Sequence, residues 1–94
     1  MEKIIKIIGN AQIIKVERRS EVLTGWERRN SYLGFGGYLV IKLTEDGRYY
    51  ACIDNGRRCI TTSCGDLTLT PGGAVFETAN SVYTFRLIAD QLAG

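Results

Sequence analysis

Histidine is absent from all 94 residues, and with it goes the commonest general base and the commonest imidazole metal ligand. Ser or Cys triads that depend on an imidazole cannot be assembled within one subunit. Cysteine is scarce and odd in number. Cys52, Cys59 and Cys64 fall one short of a closed four-thiolate zinc site, and Cys59-x4-Cys64 has no second matching pair. Small buried residues or inert thiols are expected, and only a site shared between subunits would complete a metal shell. No cofactor and no metal are expected. Long apolar runs are missing too: Met1–Gly9 is short and carries Lys3 and Lys6 inside its isoleucines, which argues against a secretory core or a membrane span. A cytoplasmic protein with reduced thiols and no membrane partner is the expectation.

Charge of one sign is lacking as well. Twelve Lys and Arg against ten Asp and Glu leave a net +2, far from the strongly basic balance of dedicated nucleic-acid-binding domains. The small excess is uneven: seven bases face four acids through Asn30, and five face six beyond it, so the basic surplus belongs to the first third. A hydrophobic share of 45% and a charged share of 23% are ordinary for a globular chain. The length supports one domain, residues 1–94, with one core.

What the sequence has in abundance is turn chemistry. Tyr38–Thr44, Arg48–Asp54, Arg57–Thr62, Leu67–Thr70, Ala74–Ala79 and Val82–Ile88 are rich in β-branched and aromatic residues. They are separated by Asp46-Gly47, Asn55-Gly56, Cys64-Gly65, Pro71-Gly72-Gly73 and Asn80-Ser81. That spacing predicts a series of β-hairpins. Alternation puts Leu39, Ile41 and Leu43 on one face and Tyr49, Ala51 and Ile53 on another apolar face. Ile41, Ile53, Phe76, Tyr83 and Phe85 are the expected core. Upstream, Lys3–Ile8 and Ala11–Arg19 read as two more strands joined at Gly9-Asn10. The doublets Ile4-Ile5, Ile7-Ile8 and Ile13-Ile14 break strict alternation and imply either cover on both faces or bulges. The fold expected is all-β: a small antiparallel β-barrel or strongly bent sheet, with helix confined to a turn at Ala89–Ala93 and one near Ser20–Leu23.

Ser20–Gly37 is aperiodic, long for a connection, and holds Trp26, Arg28, Arg29, Tyr32 and Phe35 among glycines. Long loops on compact scaffolds commonly carry recognition; within this one, Thr24–Arg29 is the stretch best suited to a strand. Gly34-Phe35-Gly36-Gly37 is not a phosphate loop, because a strand rather than a helix follows it. Tight-turn or bulge glycines with positive φ are expected there.

Acidic residues lie beside turns or on polar strand faces, so a carboxylate pair such as Asp54 and Glu77 reads as solvated surface rather than catalytic machinery. The arginine pairs Arg18-Arg19, Arg28-Arg29 and Arg57-Arg58, with nearby aromatics, are the ingredients of single-strand nucleic-acid binding. Neighbours in a strand point to opposite faces, however, which weakens any pair as one patch. Trp, Tyr and Arg equally dominate protein hot spots. Trp26, Arg28, Arg29, Tyr32 and Phe35 are therefore the first candidate surface, and Arg48, Tyr50, Arg57 and Arg58 the second.

The closing segment Thr78-Ala79-Asn80-Ser81-Val82-Tyr83-Thr84-Phe85, preceded by Val75-Phe76-Glu77, resembles the final hairpin of many small β-rich accessory proteins of phages and other mobile elements. In those proteins T-x-N-S-x-Y-x-F is a turn flanked by core aromatics. The resemblance covers Ala74–Phe85 and implies a compact accessory protein, such as an inhibitor that binds and blocks a host protein. It carries over no active-site residue. The expectation is a non-catalytic protein-binding domain, not an enzyme. A nucleic-acid- or nucleotide-binding β-barrel is the alternative, and a homo-oligomer stays open.

Overall fold

A computed structural model describes residues 3–19 and 25–88. One antiparallel sheet holds seven strands: β1 (Lys3–Arg18), β2 (Gly36–Leu43), β3 (Tyr49–Asp54), β4 (Cys59–Thr61), β5 (Gly65–Thr70), β6 (Gly73–Thr78) and β7 (Ser81–Leu87). A short helix, α1 (Trp26–Asn30), lies between β1 and β2. The all-β expectation holds, and β2 to β7 fall on the six runs that the turn dipeptides mark out. The sheet is strongly bent: β2 pairs with β1 and β3, β5 with β3 and β6, and β7 with β6 and β1, so the pairings run round a ring.

The bend draws one face inward, and alternation decides what lines it. Leu39, Ile41, Ala51, Ile53, Phe76, Tyr83 and Phe85 are all at most 2% exposed, which matches the expected core. Tyr49 departs from the pattern and is exposed, because it stands at the end of β3, where a single pairing with Gly65 joins β3 to β5.

The sequence suggests a hairpin at Gly9-Asn10, but β1 runs straight through it as one strand. Its first part pairs with β2, from Lys3 opposite Leu43 to Gln12 opposite Gly36, and its last part with β7, from Ala11 opposite Leu87 to Arg18 opposite Ser81. The pairing slips between Ile4 and Lys6, between Ile7 and Gly9, and between Ile13 and Lys15. The residues left over are Ile5, Ile8 and Ile14, the second member of each isoleucine doublet. An extra residue in one strand bends it and increases its twist, and three of them let one strand serve two neighbours around a ring. Of the two readings of the doublets, bulges are correct. Ile4, Ile5, Ile7 and Ile14 stay exposed, so cover on both faces is not the explanation.

Three further expectations are corrected. Cys64-Gly65 is no hairpin turn, since β4 and β5 both pair with β3 and not with each other. Of the stretch Thr24–Arg29, suggested as a strand, Thr24 lies outside the described residues and residues 26–29 belong to the helix α1, entered through Gly25 at φ +75° with no side-chain cap. A left-handed residue at that junction is tolerated because glycine has no Cβ. Of the glycines around Phe35 only Gly34 has positive φ, and Gly36 and Gly37 belong to β2. The helical turns expected at 20–23 and Ala89–Ala93 lie outside the described residues.

Candidate functional site

After α1 the chain folds back through Tyr32 and Phe35, both half-buried and packed against the core. Phe35 N–H donates to the Tyr32 carbonyl (2.9 Å), Gly34 N–H donates to the Ile13 carbonyl (2.7 Å) and Ile13 N–H donates to the Phe35 carbonyl (2.8 Å). These bonds satisfy β1 where β2 has ended. The segment 25–35 therefore caps the sheet near the C-terminal end of β1 and the start of β7.

Arg29 points inward within this cap. Its Nε donates to Ser81 Oγ at 2.7 Å, and Ser81 is wholly buried. Ser81 N–H in turn donates to Thr78 Oγ1 (3.1 Å), while the Thr78 hydroxyl donates to the Ser81 carbonyl (3.2 Å). The guanidinium of Arg29 lies 5.6 Å from the centre of the Trp26 ring, within cation–π range. Burial pushes the nearby Tyr83 phenol above its ordinary pKa. Arg29 is thus an anchor of α1 on β7, not the outward recognition residue expected from the sequence. Arg29→Ala should lower stability by about 1.5–3 kcal/mol, the range for a hydrogen bond to a charged group. Chemical denaturation checks this, and a midpoint equal to wild type would remove the anchor role.

Arg28, on the same helix, is exposed. Trp26 is half-buried beside an open depression of about 460 Å³ lined by Gly25, Trp26, Glu27 and Arg28. The turn between β3 and β4 brings Arg58 to the cap, its guanidinium 5.7 Å from the Tyr32 ring centre and 5.9 Å from that of Phe35. Asn55 Oδ1 accepts the N–H groups of Arg57 (2.9 Å) and Arg58 (2.8 Å), and Asp54 Oδ1 accepts that of Gly56 (2.7 Å), a side-chain-stabilised turn of the Asx type. Arg18 lies opposite Ser81 at the end of β1. Arg19 donates to the Thr78 carbonyl (2.7 Å) and is 3.7 Å from Glu77.

Arg28 and Arg29 on α1 and Arg58 from the β3–β4 turn thus meet at the cap, and Arg18 and Arg19 stand at the end of β1 beside Ser81 and Thr78, the seat of Arg29. Arg18, Arg28, Arg57 and Arg58 are exposed and form no ion pair among the described residues. Arg18 and Arg19 are members of this surface that the first candidate set leaves out. The signal that finds them is the pairing of Arg18 with Ser81, a register the sequence does not reveal.

The second candidate set divides. Arg58 joins the cap with Arg57 beside it in the turn, whereas Arg48 precedes the other end of β3, about 20 Å along the strand from Asp54 at roughly 3.3 Å per residue. Arg48 is held in its own turn by Asp46 Oδ2 at 3.0 Å, and Thr44 bonds both Asp46 and the Arg48 N–H. The Thr44 hydroxyl, with help from Arg48, holds the Asp46 carboxyl below the usual range. Tyr50 is half-buried on β3 and lies with Arg48 rather than with the cap.

The cysteines pair differently from the spacing considered in the sequence. Cys52 on β3 and Cys59 on β4 have their sulfurs 2.7 Å apart, while Cys64 stands elsewhere, against Gly47, Arg48 and Asp66. Among the described residues no three His, Cys, Asp or Glu side chains converge as metal ligands, and no helix is long and apolar enough to cross a membrane. No protein-family model matches the chain, no curated protein matches it, and no solved structure matches the fold.

Proposed function

We propose that this chain is a non-catalytic binding domain whose arginine-rich cap occludes an acidic surface of a partner protein, in the manner of an accessory protein that blocks a host factor. The observation that carries the reading is the set of four exposed arginines, Arg18, Arg28, Arg57 and Arg58, which form no ion pair among the described residues, on the segments that meet or flank the half-buried Trp26, Tyr32 and Phe35. Arginine beside aromatic residues is the usual composition of interface hot spots. The site is held on a bonded scaffold, which reduces the ordering cost of association. The β6–β7 hairpin that carries the resemblance to mobile-element proteins supplies Ser81, the seat of α1.

The same four charges support a second reading, contact with nucleic-acid phosphates. Base stacking fits less well, because Arg58 already covers Tyr32 and Phe35 and both rings pack against the core. Open aromatic platforms are what single-strand binders present.

A pull-down from host lysate, with and without nuclease, separates the two. The expected result is a protein retained in the nuclease-treated arm and lost with the triple variant Arg28→Ala, Arg57→Ala, Arg58→Ala. Each true hot spot should cost about 2 kcal/mol or more, roughly a thirtyfold weaker Kd. Unchanged circular dichroism would show the variant folded. Capture that vanishes with nuclease, and oligonucleotide binding that falls steeply with salt, would favour nucleic acid. Full capture by the folded triple variant would move the site away from the cap, towards Arg48 and Tyr50.

A further inference from the structure

Cys52 and Cys59 lie on neighbouring strands as diagonal neighbours: Cys52 is opposite Thr61, and Cys59 is opposite Asp54. Both therefore project on the face away from Ile53 and Ile60, which fill the core. Their sulfurs are 2.7 Å apart, so little movement separates two thiols from the roughly 2.05 Å of a disulfide. One partner is buried and the other exposed. Burial, then the neighbouring Cys59, pushes the Cys52 thiol up to about 11. An accessible thiol backed by a resolving one is the arrangement of redox-responsive cysteines.

We infer that Cys52 and Cys59 are a reversible dithiol–disulfide pair, a staple across β3 and β4 that fixes the turn at 55–58. The inference is independent of the binding reading. β4 is only three residues long and pairs with β3 alone. A covalent link at its first residue therefore holds the strand where hydrogen bonds are fewest. The oxidant is a peroxide. The Cys59 thiolate attacks one peroxide oxygen, the O–O bond breaks, and Cys59 becomes a sulfenic acid as hydroxide leaves and is protonated to water. The Cys52 sulfur then attacks the Cys59 sulfur. The S–S bond forms, the S–O bond breaks, and the Cys52 proton leaves with the hydroxide as a second water. Two thiols lose two electrons and the peroxide gains them. A dithiol reductant reverses the change by returning two electrons and two protons. Cys64, in its separate place near Arg48, takes no part.

The test treats the reduced, full chain with hydrogen peroxide. Titratable thiols under denaturing conditions should fall from three to one, with an intact-mass loss of two hydrogen atoms and a proteolytic peptide linking Cys52 to Cys59. Dithiothreitol should restore all three thiols. Amide exchange across 55–61 should slow several-fold in the oxidised form. Cys64→Ser should behave the same way, and Cys59→Ser should lose the mass change. Three outcomes would overturn the inference: Cys59 accumulating as a sulfenic or sulfinic acid with Cys52 still free, a link to Cys64, or unchanged exchange across 55–61 once the disulfide has formed.

Discussion

Phe85→Ala is expected to destabilise the protein by about 3–5 kcal/mol, the usual cost of truncating a buried phenylalanine. A chain of this length has a total stability of about 5–14 kcal/mol, so the variant sits close to unfolding at room temperature. The ring is 2% exposed and stands between Ile13 on β1 and Ala74 on β6, which are 1% and 0% exposed. Ala74 is too small to move into the space the ring leaves, and Ile13 is held by its pairing in a bulged part of β1. The cavity therefore stays, and its cost adds to the lost transfer energy. A urea titration reads this directly, and a midpoint that barely moves would show that the core is held elsewhere.

Gly65→Ala should have an effect of similar kind from the opposite cause. A Cβ at this position would stand 1.9 Å from the Glu77 carbonyl oxygen and 2.7 Å from its carbon, so backbone has to move. Overpacking of this sort costs about 1–3 kcal/mol, and the upper end is expected because no flexible side chain can give way. Gly65 pairs with Thr78 on one side and makes the one β3–β5 pairing, with Tyr49, on the other. Parting the strands there also disturbs Thr78, which positions Ser81 beneath Arg29. The variant should lose protection from amide exchange at α1 as well as global stability. Wild-type denaturation with intact protection at α1 would mean that β5 and β6 have room the geometry does not show.

The contrast between the two halves of the chain shows what local chemistry can encode. From Gly36 onward each strand is bounded by its own turn residues, and alternation identifies the core face because one side of each strand is buried. In β1 the same rules mislead. Gly9-Asn10 has the composition of a hairpin turn, but whether it turns or bulges depends on β2 and β7 lying alongside, which no local window contains. Residues 26–30 form barely more than one turn of helix, with glycine where a Ser, Thr, Asp or Asn cap would have announced it. The inward direction of Arg29 follows from that helix and from Ser81, far along the chain. Cys52 and Cys59 were closer to legible. They flank the Asn55-Gly56 turn, and a hairpin drawn on those two residues sets them directly opposite, close to the diagonal arrangement that the observed register produces, whereas counting residues between Cys59 and Cys64 measures distance along the chain only. The arginine cap was legible as residue types and not as a place, since its members come from three separate segments.

The shared duty of β1 also sets the order in which the protein can be completed. Its first part can find β2 early, a few dozen residues later, but from Lys15 onward its strand partner is β7, the last strand to be synthesised. Arg18, Arg19 and the seat of α1 thus depend on contacts of high sequence separation, the class that slows folding. A chain still emerging from the ribosome would carry Lys15, Glu17 and Arg18 on an open edge, and charged side chains along an unfinished edge discourage pairing with a neighbour in the same state.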